Sequence, residues 1–495
     1  MLLAMVEDSV EAMGAAMAGA GKPLRLELPW WEPWSLTRAL AERLGRDGLV
    51  LLEGDGSALG GRAVLGVAPL RRLICRGLPA DPDGQDPFAA LAQLDREGGA
   101  WLGWLAYEAG AWVEPADHWQ RPDLACLVAL HHDPLIHFDR HERRLWLEGE
   151  DPGRLRALAE LVRQLAAELP DGPSGAGGVE GASTADQASA SRPAVAAPLS
   201  APHSVPLSAP FATSIAAPIP LEAWHWHTPA HTYANQVRQL LERIAAGDIF
   251  QANLTACCET WLDHDPDLLG LYARLRRHCP APFAGLAIAG DEAVLSASPE
   301  RFLRLDPSGR VETRPIKGTR PRHGDRERDA DAAAELLCDP KDRAENVMIV
   351  DLLRNDLGRV CQPGSITVPQ LLGLESYAQV HHLTSVVEGD LAAGRNAVDL
   401  LRACWPGGSI SGAPKLRACR RLAELEPVPR GPYCGAMFHL AADGGFDSNI
   451  LIRTLVAKGR RLRLHAGGGI VADSSPEAEA EEMGWKIRPL LEALA

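Results

Sequence analysis

The chain has 495 residues, of which 46% are hydrophobic and 23% charged, a composition typical of globular proteins with a sizeable buried core. Its formal net charge of −15 argues against a general nucleic-acid binder, since such proteins present a basic surface. No run of residues has the apolar length that a membrane-spanning helix requires, so we expect neither nucleic-acid nor membrane partners.

Residues 1–170 are predicted to form an N-terminal subdomain of short strands, indicated by apolar runs between turns, and one clear helix. The first residues include Glu7, Asp8 and Glu11 where a signal peptide has basic residues, so we expect no secretory leader. The ten cysteines contain no CxxC pair, which is typical of free thiols in a reducing cytoplasm. Apolar residues repeat with helical spacing from Leu155 to Leu165, which predicts a helix over residues 154–169.

Residues 171–225 are predicted to be a disordered insert or linker. From Asp171 to Pro220 the sequence is rich in Ala, Pro, Ser and Gly and carries almost no charge. Few side chains in this stretch can nucleate a core, because large apolar residues are scarce. We therefore expect a surface excursion between two globular blocks.

Residues 226–495 form the second predicted block, in which strands and helices are mixed without regular βαβ alternation. This order favours an α+β fold with largely antiparallel sheets. Strand-like runs are predicted at 283–288, 293–297, 302–305, 449–456 and 461–465, and helices at 231–246, 329–337, 343–356, 397–404, 415–425 and 476–494.

A basic segment at residues 312–322, ETRPIKGTRPR, places Lys317 among Arg314, Arg320 and Arg322. Positive potential and partial burial both disfavour the ammonium form of a lysine, which makes its amine a better nucleophile. The same residues also fit a solvated basic loop that binds anions or nothing.

Carboxylates form the second group of candidate residues. Glu345 begins the predicted helix ENVMIVDLLRND, and Glu479 and Glu482 lie three residues apart on one face of the last helix. Carboxylates without a His or Cys companion suit Mg²⁺, which proteins usually hold with one or two carboxylates and an anionic group of the substrate. An exposed acidic face is the alternative.

Two glycine-rich runs, residues 406–415 and 466–469, are the third feature. Glycine runs allow backbone N–H groups to approach an anion closely. Their spacing is that of neither a Walker loop nor a Rossmann fingerprint, and tight turns are the alternative for each.

Seven segments, in this order, resemble the motifs of the chorismate-binding enzyme family. They cover essentially the whole second block, and weaker similarity extends to residues 103–108 and 247–253. A chance match of seven ordered segments is negligible. The segments are SASPERF (296–302), RPIKGTRPR (314–322), ENVMIVDLLRNDLGRV (345–360), HHLTS (381–385), PGGSISGAPK (406–415), DSNILIRT (447–454) and HAGGGIVADS (465–474).

The resemblance implies an α+β fold of the anthranilate synthase component I type. In that fold, two intertwined subdomains with antiparallel sheets form a β-sandwich flanked by helices, and the active site lies in a cleft. Residues 226–495 would be the chorismate-binding catalytic domain.

The resemblance also implies Mg²⁺ as cofactor, bridging the enzyme and a carboxylate of chorismate. Glu345 and Glu482 match the metal-ligand positions, with Glu479 close by. Because chorismate is a dianion, a closed site needs a metal and cationic donors to offset its desolvation. The positions matching substrate contacts are Gly318, Thr319, His382, Tyr433, Arg453, Gly467, Gly468 and Gly469, with Lys486 as a carboxylate partner.

Two positions separate the branches of the family. Isochorismate and salicylate synthases activate water with a lysine where this chain has Gln251. Anthranilate-forming members typically carry alanine where this chain has Lys317, whereas the branch that aminates chorismate at C4 resembles this chain. In that branch the lysine attacks C2 and displaces the C4 hydroxyl, and ammonia then attacks C4 and expels the lysine. Glu300 matches the general acid and base.

The reaction needs ammonia, and the sequence contains no Gly-x-Cys-x-Gly glutaminase turn. A glutamine amidotransferase subunit is therefore predicted as partner in a heterodimer, with 4-amino-4-deoxychorismate as product for 4-aminobenzoate and folate synthesis. One alternative is an anthranilate-forming enzyme of tryptophan synthesis, against which Lys317 argues. The other is a non-catalytic regulatory subunit, which has no need of Glu300, Lys317, Glu345 and Glu482 together.

Overall fold

A computed structural model of the chain describes residues 23–168, 218–377 and 380–495. The α-helices within these ranges are α1 Pro33–Leu44, α2 Pro87–Glu97, α3 Gly110–Val113, α4 Pro152–Glu168, α5 Ala230–Ala245, α6 Leu268–His278, α7 Arg326–Cys338, α8 Pro340–Gly358, α9 Ala397–Cys404, α10 Lys415–Ala423 and α11 Pro476–Leu494. Short 3₁₀ helices lie at Tyr107–Ala109, Leu221–Ala223 and Gly408–Ile410.

The strands alternate with these helices along the chain. They are β1 Leu24–Leu28, β2 Val50–Glu53, β3 Arg62–Gly66, β4 Arg71–Cys75, β5 Trp101–Leu105, β6 Leu127–His131, β7 Leu135–Asp139, β8 Arg144–Gly149, β9 His225–Trp226, β10 Gln251–Trp261, β11 Phe283–Ala289, β12 Glu292–Ser298, β13 Arg301–Leu305, β14 Arg310–Thr313, β15 Ile316–Pro321, β16 Thr367–Ser376, β17 Val380–Asp390, β18 Gly412–Ala413, β19 Ala436–Leu440, β20 Phe446–Asn449, β21 Thr454–Lys458 and β22 Arg461–Ile470.

Two antiparallel sheets contain all of these strands. The first has the order β1-β8-β7-β3-β2-β11-β12-β21-β22-β10-β18, with β9 also on β10, and the second has the order β15-β17-β14-β13-β20-β19-β5-β6-β4, with β16 also on β17. Each sheet takes strands from both sequence blocks, because β2 pairs with β11 and β5 pairs with β19. The predicted α+β class with intertwined antiparallel sheets is therefore confirmed.

The core between the sheets is apolar and closely packed. Trp104 of β5 and Met437 of β19 face Val50 and Ala287 of the first sheet within one buried cluster. A Cβ on Gly285 of β11 would lie 2.5 Å from the Met437 sulfur, so glycine is required for this close approach. Burying a large apolar side chain contributes about 1.5–3 kcal/mol to stability. The helices pack on the outer faces of the sheets, where two further apolar clusters form.

The predicted strand over residues 449–456 is wrong. The structure ends β20 at Asn449 in the second sheet and begins β21 at Thr454 in the first. The intervening residues cross between the sheets, and Arg453 there has a positive φ of 50°. Apolar periodicity cannot reveal such a crossing, since the buried residues on both sides of it are equally hydrophobic.

Two further predicted elements change their bounds near the site. The glycines of residues 466–469 are not a tight turn, because β22 continues through them and pairs with β10, Gly468 opposite Leu254. Helix α8 begins at Pro340, since the Asp339 side chain accepts a hydrogen bond from the Asp342 N–H at 3.0 Å and caps the helix.

Most of the predicted insert, residues 171–217, lies outside the described residues. Residues 218–225 lead into the second block, with Ile219 and Trp224 buried. Within the described ranges, no helix combines the length and the apolar character needed to cross a membrane. All ten cysteines are free thiols, and nine of them are buried.

Candidate active site

Lys317 lies on β15, where the pairing with β17 is irregular between Ile316 and Thr319. Its side chain is 10% exposed, so it does not belong to a solvated loop. The Nζ atom donates a hydrogen bond to the Ser409 carbonyl at 3.2 Å and lies 3.9 Å from Glu345 Oε2. The neighbouring Gly318 has φ 83°, which glycine adopts without strain. The lysine amine thus points into an enclosed polar site.

The three arginines of the basic segment are each paired with carboxylates, which offset their positive charges. These pairs fix the segment to neighbouring elements. The partners are Glu375 for Arg314, Glu335, Asp339 and Asp342 for Arg320, and Asp329 for Arg322. Pairing of this kind is invisible in the sequence, because the partners lie 7 to 61 residues away.

Glu300 lies between β12 and β13 and is only 5% exposed. Burial raises the pKa of its carboxyl to about 7, although a hydrogen bond from Ser409, the charge of Lys317 and the Ile316 N–H act in the opposite direction. A carboxyl with a pKa near neutrality exchanges its proton readily at physiological pH. Glu300 therefore has the protonation behaviour that general acid–base catalysis requires.

Ser409 connects these two residues and was not identified from the sequence. It lies in the 3₁₀ turn Gly408–Ile410, its carbonyl accepts the hydrogen bond from Lys317, and its hydroxyl interacts with Glu300. The glycine-rich run around it was the available signal. A glycine-rich run predicts an anion-binding backbone, whereas here a serine side chain and a carbonyl make the contacts.

The glycines of β22 create the open space of the site. A Cβ on Gly469 would lie 3.1 Å from Glu345 Oε2 and 3.4 Å from Lys317 Nζ. A Cβ on Gly468 would lie 3.3 Å from Glu479 Oε2 and 3.9 Å from Glu482 Oε1. Any larger residue would occupy the space between these charged groups. Gly467 backs onto β10, and its carbonyl accepts a hydrogen bond from Lys486 at 2.9 Å.

The three candidate carboxylates come from α8 and α11 and surround this space. Burial raises the pKa of Glu345, and the charge of Glu479 adds to this effect while Lys317 and Lys341 oppose it. The positive charge of Lys486 lowers the pKa of Glu482. No group of three or more His, Cys, Asp or Glu side chains in the described ranges forms a preformed coordination set. Oxygen-only ligands around an open space fit Mg²⁺, which keeps several ligands from water or substrate.

Gln251 of β10 reaches the same space. It is 1% exposed, its Nε2 lies 2.7 Å from the position of a Cβ on Gly469, and its Oε1 has no hydrogen-bond partner among the described residues. Gln251 thus places a neutral amide inside the site.

A second group of predicted substrate residues lies on β15, β17 and the crossing before β21. Thr319 Oγ1 and His382 Nδ1 are 2.9 Å apart. Burial lowers the pKa of His382 to about 3, and the nearby Arg453 contributes, so the imidazole is neutral at pH 7. Burial also lowers the pKa of the Arg453 guanidinium, which forms no ion pair with the described residues. A partly buried guanidinium without an ion-pair partner among the described residues favours an anionic ligand.

Tyr433 is placed against the strand that carries the glycines. Its ring stacks on His465 of β22, with centroids 4.9 Å apart and an interplanar angle of 13°. Lys486 of α11 pairs with Glu482 at 2.7 Å. The structure therefore brings Lys317, Glu345, Glu479, Glu482 and Lys486 together at the glycines of β22, with Glu300 beside Lys317. Thr319, His382 and Arg453 form a second group, and Tyr433 is linked to β22 through His465.

Replacing Arg453 with glutamine is expected to raise the KM for a carboxylate-bearing substrate by roughly tenfold to hundredfold, because a charge-assisted hydrogen bond to a carboxylate is lost. Steady-state kinetics with the substrate that the sequence resemblance implies would measure this change. Arg420→Gln, at an exposed position of helix α10, serves as the matched control and should leave KM unchanged. An unaltered KM in the Arg453 variant would remove this residue from the substrate site.

A family model described as chorismate binding enzyme matches residues 80–492. The aminodeoxychorismate synthase component 1 of Klebsiella aerogenes is 46% identical over 272 residues, which are 55% of this chain and 60% of that protein. The anthranilate synthase component 1 of Streptomyces coelicolor is 37% identical over 452 residues, 87% of this chain and 81% of that protein.

Solved structures show the same similarity. Anthranilate synthase component I from Streptococcus pneumoniae superposes with a TM-score of 0.69 at 26% identity, covering 87% of this chain and 92% of that chain. The chain spans about three-fifths of the length of the aminodeoxychorismate synthase relatives that it matches.

Proposed function

The chain belongs to the chorismate-binding enzyme family, and we propose that it aminates chorismate at C4 to give 4-amino-4-deoxychorismate. One observation carries this proposal. Lys317 Nζ faces the space between Glu345 and Gly469, beside a buried Glu300 whose pKa is about 7. A nucleophile and a general acid are thus adjacent, as a two-step displacement requires. The relatives named aminodeoxychorismate synthase component 1 support the same choice of reaction.

In the first step the neutral amine of Lys317 forms a C–N bond at C2 of the ring. Both conjugated double bonds of the ring shift, the C4–O bond breaks, and the proton of Glu300 leaves with the hydroxyl as water. In the second step ammonia forms a bond at C4, both double bonds return to their first positions, and the C2–N bond to Lys317 breaks. The Glu300 carboxylate then accepts a proton from the new ammonium group, which restores its starting state.

Mg²⁺ is the proposed cofactor, held by Glu345 and Glu482 with Glu479 beside them. When bound, it would neutralise a carboxylate of chorismate and lower the cost of enclosing a dianion. Arg453 would take the other carboxylate, since its guanidinium has no partner among the described residues. The neutral His382, held by Thr319, would supply a hydrogen bond without a further charge.

A separate glutamine amidotransferase subunit is the proposed source of ammonia. The sequence holds no Gly-x-Cys-x-Gly turn, so a glutaminase nucleophile of that kind is not part of this chain. Free ammonia should replace the partner in vitro, because the two displacements use ammonia itself.

The product of the purified protein tests the proposal. With chorismate, Mg²⁺ and ammonium salt, we expect aminodeoxychorismate, detected as 4-aminobenzoate once an aminodeoxychorismate lyase is added. Chelation of the metal should lower the rate by about 100-fold or more, with recovery on addition of Mg²⁺. Anthranilate as the main product would contradict the proposal and favour the reaction named for the Streptomyces coelicolor relative.

A further inference from the structure

Lys341 is a cation of the site that neither the sequence motifs nor the proposed reaction uses. Each of the three candidate metal carboxylates has its own lysine nearby. Two of these lysines, Lys317 and Lys486, already have proposed roles toward chorismate. The pairs and their N–O distances are Glu479–Lys341 at 2.6 Å, Glu482–Lys486 at 2.7 Å and Glu345–Lys317 at 3.9 Å.

The contacts of Lys341 are directed at the carboxylates. Its partner Glu479 is 2% exposed and also accepts a hydrogen bond from Ser474 Oγ at 2.7 Å. The Lys341 Nζ atom donates a hydrogen bond to Glu479 Oε1 at 2.6 Å, and the Lys341 side chain is 34% exposed. The amine is thus held beside the carboxylates.

The position of Lys341 in its helix makes this arrangement informative. Lys341 follows Asp339 and Pro340 in the first turn of α8, where the helix dipole disfavours a positive charge. Glu345 follows four residues later on the same face of that helix. A lysine at this position destabilises its own helix but compensates the negative charge of the carboxylates in the site. The presence of a lysine here is therefore better explained by the site than by helix stability.

We infer that Lys341 is the internal counter-ion of the metal-binding carboxylates, an inference that rests on the proposed Mg²⁺ site. When no divalent cation is present, Lys341 compensates the negative charge of the Glu479 carboxylate. When a cation is present, Lys341 competes with it for that same negative charge. Lys341 therefore lowers the affinity for free Mg²⁺ and raises the affinity for the anionic substrate. Mg²⁺ and chorismate then bind best together, because each supplies the charge that the other needs.

The test is a pair of titrations on the purified full chain with Lys341→Gln. Without chorismate, calorimetry should show a Kd for Mg²⁺ about tenfold lower than in the wild type, since one competing charge is gone. In chelator without metal, the Kd for chorismate should instead rise about tenfold. Structural damage would weaken both interactions, so opposite changes identify a charge effect.

Two matched variants control this test. Lys341→Arg keeps the charge and should retain the wild-type affinities. Arg343→Gln removes a charge from the same helix turn, where the side chain is exposed and donates only to the Leu337 carbonyl, and should change neither affinity. Without metal, Lys341→Gln should melt at a lower temperature than the wild type, and saturating Mg²⁺ should remove this difference.

The inference would be overturned if Lys341→Gln bound Mg²⁺ as tightly as the wild type or more weakly. It would also be overturned if Arg343→Gln gained as much Mg²⁺ affinity as Lys341→Gln. A wild-type protein that binds no Mg²⁺ would overturn it together with the metal site. These titrations do not depend on which product forms. A protein that makes anthranilate would refute the proposed reaction while leaving the titration result unchanged.

Discussion

Replacing Lys317 with alanine is expected to lower the rate of chorismate amination by roughly 10³-fold or more, because the covalent route then has no nucleophile. The amine is held between the Ser409 carbonyl and Glu345, and it lies 3.4 Å from the position of a Cβ on Gly469. Intact-mass measurement on enzyme quenched during turnover should show an adduct of the chorismate skeleton in the wild type. The alanine variant should show none.

Lys317→Arg separates nucleophilic from electrostatic roles. Arginine keeps the positive charge near Glu345 but remains protonated, so its side chain cannot form the adduct. We expect chorismate binding close to that of the wild type and amination as slow as in the alanine variant. Substantial activity in Lys317→Arg would show that the charge suffices and that the covalent step is wrong.

Replacing Glu300 with glutamine is expected to slow amination by roughly 10² to 10⁴-fold, since proton transfer to the leaving hydroxyl is lost while the size of the side chain is kept. In the wild type, adduct formation in a single turnover requires protonated Glu300. Because the pKa of Glu300 is about 7, the rate of adduct formation should fall as the pH rises above neutrality. Rapid-quench measurements over pH 5.5–9 should show a decline of about one decade of rate per pH unit in the wild type. The variant should show a flat profile.

Ser409→Ala provides the control for this pH dependence. The Ser409 hydrogen bond lowers the pKa of Glu300, so its removal should move the decline to higher pH without abolishing activity. An unchanged profile in Glu300→Gln would assign the titration to another group and would remove Glu300 as the acid.

Local patterns in the sequence identified most helices near the site. Helix α11 was predicted over residues 476–494 and is observed at Pro476–Leu494, because its apolar face repeats with helical period. The late strands were less predictable. Apolar residues dominate 449–456, yet this segment leaves one sheet and enters the other. Pairing partners from distant parts of the chain decide such a crossing, and apolar character alone does not distinguish them.

For the candidate site, motif order identified Lys317, Glu345, Glu482 and the glycines as belonging together. It did not identify Ser409 or Lys341, whose importance comes from contacts with residues 92 and 138 positions away. It also suggested a positive field from three arginines that the folded chain neutralises. Charge balance is a property of distances in space, and these distances follow from the sheets rather than from the spacing along the chain.

The sequence by itself determined the family, the α+β class and the set of chemical groups available, because motif order and apolar periodicity are local properties of the chain. Only the tertiary structure decided which groups meet. It built each sheet from strands of both blocks. It also placed Glu300 where burial raises the pKa of its carboxyl to about 7, and it left space at Gly468 and Gly469 between carboxylates and lysines. Burial and charge pairing arise from long-range packing. They determine the protonation states of the polar residues and therefore the charge of the site.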